Sequence, residues 1–333
     1  MKKIAFFSPH MTLRGTEVVL YDFASANEDI LKNKSVVIYV KNHPLNDSSV
    51  IEKFASRFGN NLVGIYVDGI EDWSSVIPRM MAKVDEVIVE KQCEYFYIQK
   101  KGDVDGIESK YAKTLVLCCG KSCSPHGHRY AYVSPWLQRV AGNNEFPLVF
   151  PPVENLDYTN EDLRSELSIP RNAVVFSRTG GKDTWNLGWP DQVIKRVLDK
   201  RDDAYFLFMN TPKFIDHDRV IFLNGTSDKI LKTKFVNTSD AFLHCREEGE
   251  SFGSSIAEFS IRNKPIITFR ESPETNHIET LREKGIYYNN PESLFTTLVY
   301  FYPSPHLNWN AFQGYDIVSA IRNFSNVFLD EGE

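Results

Sequence analysis

The chain has 333 residues, a length for two ordinary domains rather than one. At 42% hydrophobic and 25% charged residues the composition is globular. A formal net charge of -6 excludes the broad basic footprint of a nucleic-acid binder, so cations serving an anionic ligand must act locally.

The first apolar run, Ile4-Ala5-Phe6-Phe7, is too short for a leader or a membrane span and meets Ser8-Pro9. No integral membrane segment is expected, and peripheral association is left open. Five cysteines, an odd number, do not read as a secreted disulfide framework, so a cytoplasmic location is expected.

Lys3 to Phe7 reads as a buried strand, followed by the loop Ser8 to Gly15. From Thr16 to Ala24 the apolar residues fall at helical spacing, with Thr16 as the expected cap. Ser35 to Val40 completes a β-α-β unit. Further strands are expected at Leu62 to Val67, Glu86 to Val89, Tyr95 to Ile98, Thr114 to Leu117 and Ala131 to Ser134. A proline-rich stretch, Phe146 to Val153, interrupts the pattern, and a polar segment follows it. The β/α alternation then restarts, with strands expected at Ala173 to Ser177, Ala204 to Met209, Val220 to Leu223, Ala241 to His244 and Pro265 to Phe269. Tyr315 to Phe328 reads as one amphipathic helix. Alternation that starts twice implies two doubly wound parallel sheets, and ligands of such sheets sit at the carboxyl ends of the strands.

The strongest chemical signal is Glu250-Ser251-Phe252-Gly253-Ser254-Ser255-Ile256-Ala257-Glu258, two glutamates flanking seven residues. Gly253 allows close backbone approach. The helix expected from Ser254 presents N–H groups suited to phosphate. Glu258, one turn in, suits ribose hydroxyls, and Glu250, before the turn, would face a sugar. A second signal is Val174 to Lys182, a strand running into a glycine turn with two cations. There Arg178 suits bidentate phosphate contact and Lys182 supplies a point charge.

Cys118, Cys119, Cys123, His126 and His128 form a cluster that reads either as a metal site or as a cleft loop. Adjacent Cys118-Cys119 is poor geometry for one ion, and no paired C-x2-C knuckles occur. Two D-x-D strings, Asp103-Val104-Asp105 and Asp216-His217-Asp218, match a diphosphate-metal motif of another fold, but three-residue matches arise by chance. Asn210-Thr211 and the Asn224 to Asp228 loop are fainter candidates for nucleotide contact. Trp73, Tyr95, Tyr97, Tyr130 and Trp136 are aromatics able to stack on sugar rings, or simply core and surface filler.

Glu250 to Glu258, followed by Asn263-Lys264-Pro265-Ile266-Ile267-Thr268, resembles the E-x7-E signature of glycosyltransferase family 4 and its GT-B relatives. It departs at Ser251, usually glycine, and at Asn263-Lys264, often Gly-x. Arg178 and Lys182 resemble the family's diphosphate-binding pair, with Lys182 slightly closer to the arginine than usual. Arg14-Gly15-Thr16-Glu17 resembles the N-terminal glycine loop. The resemblance covers about residues 170 to 290 well and the N-terminal half loosely.

It implies an α/β GT-B fold of two Rossmann-like doubly wound domains facing a central cleft. The acceptor domain would be 1–150 and the donor domain 151–305, with a C-terminal helix in 306–333 for which packing back on the N-terminal domain is one arrangement. It implies a retaining, metal-independent glycosyltransferase that needs no cofactor. The enzyme would move a sugar from a UDP- or GDP-linked donor to a glycan, glycoconjugate or other hydroxyl acceptor. Catalytic roles would fall to Glu250, Arg178, Lys182 and His126, with His128 as the alternative histidine. Donor contacts would come from Gly15, Thr16, Arg178, Lys182, Ser251, Phe252, Gly253, Ser254 and Glu258. Alternatives are a nucleotide-sugar epimerase of the same fold and a catalytically decayed sugar-nucleotide-binding protein.

Overall fold

A computed structural model describes residues 1–70 and 72–330; the side chains of Trp73 and Ser74 also lie outside the description. The backbone separates into two units, Met1–Pro152 joined by the stretch from Tyr315, and Val153–Gly314.

The first unit runs β1 (Lys3–Ser8), α1 (Gly15–Asp29), β2 (Lys34–Val40), α2 (Ser48–Phe58), β3 (Leu62–Ile65), α3 (Trp73–Lys91), β4 (Tyr95–Lys100), β5 (Lys113–Cys118), β6 (Arg129–Tyr132) and α4 (Pro135–Val140). Its six strands are parallel in the order β3-β2-β1-β4-β5-β6. Helices cover such a sheet on both faces, which is why β1 and β2 are apolar almost without interruption. The order reverses between β1 and β4.

The second unit runs β7 (Val174–Arg178), α5 (Pro190–Lys200), β8 (Ala204–Met209), β9 (Val220–Leu223), α6 (Lys229–Thr238), β10 (Ala241–His244), β11 (Gly249–Glu250), α7 (Ser254–Ile261), β12 (Ile266–Phe269), β13 (Glu274–Thr275), α8 (Asn276–Leu281), β14 (Gly285–Tyr288) and α9 (Pro291–Tyr300). Its main sheet is again parallel, in the order β14-β12-β10-β7-β8-β9, and reverses between β7 and β10. Phe176, Phe206, Leu243 and Ile267 from the sheet bury against Val193 and Val197 of α5 and Leu294 and Leu298 of α9. β11 and β13 form a separate two-stranded parallel ribbon.

The tail continues as α10 (Ile317–Phe324) and a π-helical turn, Ser325–Leu329, within the first unit. The single helix expected over Tyr315 to Phe328 is thus shorter and changes its winding. Phe324 packs its ring against Phe6, Phe23, Tyr97 and Phe328. The strand expected at Glu86 to Val89 is instead the end of α3. Val76, Met80, Val84 and Ile88 are all buried, four residues apart, so one long helical face prevails over a short β-branched run. Thr16 is not the cap of α1: the helix begins at Gly15, with Arg14 in the cap position and no side-chain cap. Among the described residues no helix is long and apolar enough to cross a membrane.

Candidate functional site

The chemistry of the second unit gathers at the carboxyl ends of β7 and β10, the two strands between which the sheet order reverses. Crevices form at such points because the loops leave on opposite faces.

After β10 the chain turns through Cys245 and Arg246 into the ribbon. Gly249 pairs with Glu274, and Glu250 with Thr275. Gly249 has φ +77, and a Cβ there would overlap the Glu274 carbonyl oxygen, so the ribbon requires glycine. Gly253, at φ 93, takes the left-handed cap position of α7, which no side chain caps. Phe252 is buried, and its carbonyl accepts from Asn276 Nδ2 at 3.1 Å, tying the turn to α8. Ser251 and Ser254 are half-buried on either side of it.

The ribbon places Glu250 among cations and imidazoles. Arg246 donates to its Oε2 at 2.9 Å, and His244 Nε2 stands 3.3 Å from its Oε1. The carboxylate side chain remains 21% exposed, enough to meet a ligand. Burial opposes its ionisation, but the His244 hydrogen bond and the Arg246 charge outweigh burial and hold the carboxyl down at about 2. Behind it His277, fully buried on α8, lies 5.0 Å ring to ring from His244. Burial, with His244 beside it, pushes His277 down to about 3.

Glu258 is the fifth residue of α7 and points inward, 6% exposed. Lys232 of α6 pairs with its Oε1 at 2.5 Å. A polyol reaching Glu258 would therefore meet a carboxylate already oriented by a cation.

Arg178 closes β7 and is 3% exposed. Its guanidinium donates to the Gly181 carbonyl at 2.7 Å and to the hydroxyls of Thr184 and Thr211. Burial lowers it to about 10, so the group stays cationic at neutral pH. Arg178 thus folds the Gly180-Gly181 loop around itself, and its charge acts through that loop. Asn210 Nδ2 bonds the Gly180 carbonyl at 2.8 Å from the other side. Lys182, on the same loop, is exposed. In the fainter loop, Asp228 caps α6 by accepting from Ile230 and Leu231.

In the first unit Gly15 and Thr16 form the first turn of α1, Gly15 exposed and Thr16 half-buried. The buried carboxylate of Glu17 organises the preceding loop. It accepts from Ser8 Oγ at 3.1 Å, Thr12 Oγ1 at 2.5 Å and Thr16 Oγ1 at 3.0 Å. His126 lies in the loop after β5, its Nδ1 2.6 Å from the Ser124 carbonyl and its ring against Tyr130; His128 is exposed. Cys118 and Cys123 bring their sulfurs to 3.5 Å, and burial pushes the Cys123 thiol up to about 12. Asp105 is paired with Lys100 at 2.5 Å, and Asp216 with Lys213 at 2.7 Å. Among the described residues no group of three or more His, Cys, Asp or Glu side chains comes together as a metal cage.

His244, Arg246, Thr268, His277 and Lys232 were not singled out from the sequence. The last-strand position of His244, directly before the loop, was the available signal. Lys232 and His277 carried none, because their neighbours Glu258 and His244 lie 26 and 33 residues away in the chain.

No family model matches the chain, and no curated protein matches it. Solved structures do. Anabaena Alr3699/HepE in complex with UDP-glucose is 15% identical with a TM-score of 0.72, covering 98% of this chain and 99% of that one. The sucrose-phosphate synthase of Thermosynechococcus elongatus is 12% identical with a TM-score of 0.68, covering 98% and 95%. A Listeria monocytogenes structure described as a UDP-N-acetylglucosamine 2-epimerase is 15% identical with a TM-score of 0.61, covering 97% and 94%. At such identities the likeness is one of fold: the chain has the GT-B fold, built from two Rossmann-like doubly wound units.

Proposed function

We propose that this chain is a retaining, metal-independent glycosyltransferase that takes a sugar from a UDP- or GDP-linked donor to a glycan or other hydroxyl acceptor. The observation that carries the reading is the pair of glutamates at the sheet's reversal point. Glu250 is held ionised beside Arg246 and His244, and Glu258 stands one turn into a helix whose start is uncapped. The GT-B structures found with UDP or UDP-glucose support the donor class.

In this reading Glu258 accepts from the ribose hydroxyls. The N–H groups at Ser254 and the cations Lys182 and Arg178 stabilise charge growing on the diphosphate, the electrostatic role that dominates many catalysed transfers. Glu250 accepts from hydroxyls of the transferred sugar. The bond from the anomeric carbon to the diphosphate oxygen breaks, and the acceptor oxygen bonds that carbon on the same face. The acceptor proton passes to the leaving phosphate, so no separate carboxylate base is required. With Glu250 held at about 2, it is a weak base and a persistent acceptor.

A panel of nucleotide sugars in thermal-shift measurements with EDTA tests this. A donor at a hundredfold excess over its Kd stabilises the native state by about 2.7 kcal/mol. One donor is expected to shift the wild type without metal, and Glu258→Ala to lose the shift. Absence of any shift, or a shift only with Mn²⁺, overturns the reading.

Two imidazoles beside Glu250 favour one second reading, epimerisation of the donor sugar. Conversion of a bound nucleotide sugar into its epimer without any acceptor would establish it instead.

A further inference from the structure

His244 ends β10, and its register partner on β12 is Thr268. The two side chains meet at the carboxyl edge, His244 Nδ1 2.9 Å from Thr268 Oγ1. The other ring nitrogen faces Glu250 Oε1 at 3.3 Å. An ionised carboxylate only accepts, so Nε2 carries the hydrogen. In the neutral ring Nδ1 then accepts from the Thr268 hydroxyl. These roles follow from the bonding network. The chain of contacts runs from the main sheet into the ribbon, coupling β12 and β10 to the two-residue strand that carries Glu250.

The surroundings fix this ring further. Its side chain is 8% exposed, and His277 packs at 58° to it from the buried side. Neither nitrogen of His277 has a side-chain partner among the described residues, and the Glu274 backbone lends it only a weak hydrogen bond. Burying weakly paired polar atoms costs stability that a phenylalanine at the same place would not.

We propose that Thr268 and His244 are positioning residues for Glu250. Thr268 sets the His244 tautomer, and His244 orients the carboxylate toward hydroxyls of the transferred sugar. The identity of that ligand rests on the glycosyl-transfer reading; the relay does not. Arg246 holds the second carboxylate oxygen, so loss of His244 leaves Glu250 charged but free to rotate about that one contact.

The relay is read without turnover by imidazole nitrogen spectra of the full chain labelled at histidine, with His244→Gln for assignment. The expected result is the Nε2–H tautomer for His244. Its resonances should move in Glu250→Gln, and the tautomers should become mixed in Thr268→Val, which keeps the side-chain shape. An Nδ1–H tautomer, or indifference to both substitutions, overturns the proposal.

Kinetics with the donor found by thermal shift test the positioning. Thr268→Val and His244→Ala should lower kcat about tenfold with donor KM nearly unchanged, the mark of an interaction realised in the transition state. His244→Gln, whose amide N–H can reach the carboxylate, should recover part of the loss. The double variant His244→Ala/Glu250→Gln should be no slower than Glu250→Gln alone, because the histidine acts through the glutamate. Multiplying losses would overturn the relay. A wild type that binds no nucleotide sugar defeats the functional reading, and the spectra still decide the relay.

Discussion

At the scale of single residues, two groups in the site make the second unit sensitive to acid in different, partly overlapping windows. His277 sits near 3 when folded against about 6.5 in a free chain, because burial disfavours its charged form. Between those values the unfolded chain binds the extra proton, so stability present above 6.5 is lost as pH falls toward 3. Glu250, held at about 2 against an ordinary 4.5, adds its own loss only below 4.5. His277→Phe is therefore expected to flatten the fall in stability between pH 6.5 and 4.5, by up to about 1.4 kcal/mol per pH unit. Urea unfolding at a series of pH values measures this, and parallel curves for variant and wild type would show that His277 is not held neutral. Arg178 teaches a related point. Its residue type suggested a bidentate phosphate contact, and its guanidinium is bonded to Gly181, Thr184 and Thr211. Sequence supplies the charge, and only packing decides how far it reaches.

At the scale of elements, the ribbon of β11 and β13 determines where Glu250 stands. Two residues a side cannot hold a strand pair alone. The ribbon persists because Asn276 ties α8 to the Phe252 turn and because Gly249 lets the backbones approach. Gly249→Ala is expected to destabilise by more than about 2 kcal/mol, since both the left-handed φ and the Glu274 carbonyl forbid a Cβ. Thermal unfolding checks the cost, and unchanged stability would mean the ribbon is not a structural requirement. The glutamate signature itself was legible as a local pattern. The ribbon was not, because its partner strand lies 25 residues on and neither piece has a strand's length. The misplaced strand at Glu86 to Val89 has the same origin. A β-branched run was read locally, while the α3 face extends back to Val76.

At the scale of the whole molecule, the chain leaves its first unit at Pro152 and returns to it at Tyr315. The return is anchored by Phe324, fully buried among Phe6, Phe23 and Tyr97, and by Asn323, whose Oδ1 accepts from Phe150 N at 3.1 Å. Phe324→Ala should cost about 3–5 kcal/mol, as for other buried aromatics. The loss should be confined to the first unit. Amide hydrogen exchange is expected to show faster exchange in β1 and β4, with β7 and β10 unaffected. Equal loss in both units would show that the tail supports more than the sheet it packs on.

Both sheets were readable from the chain alone for one reason. Strands buried on two faces are written as continuous apolar runs, and runs alternating with helical periods leave little choice but a parallel, doubly wound sheet. The glutamate pair and the glycine turn of α7 were readable because their geometry is local, one strand end and one helix start. What tertiary structure decided was partnership. Lys232 with Glu258, Thr268 with His244, His277 behind both: each joins residues more than eight positions apart across parallel crossovers. A parallel connection separates neighbours in space by a whole helix of sequence, so the residue types were visible and their company was not.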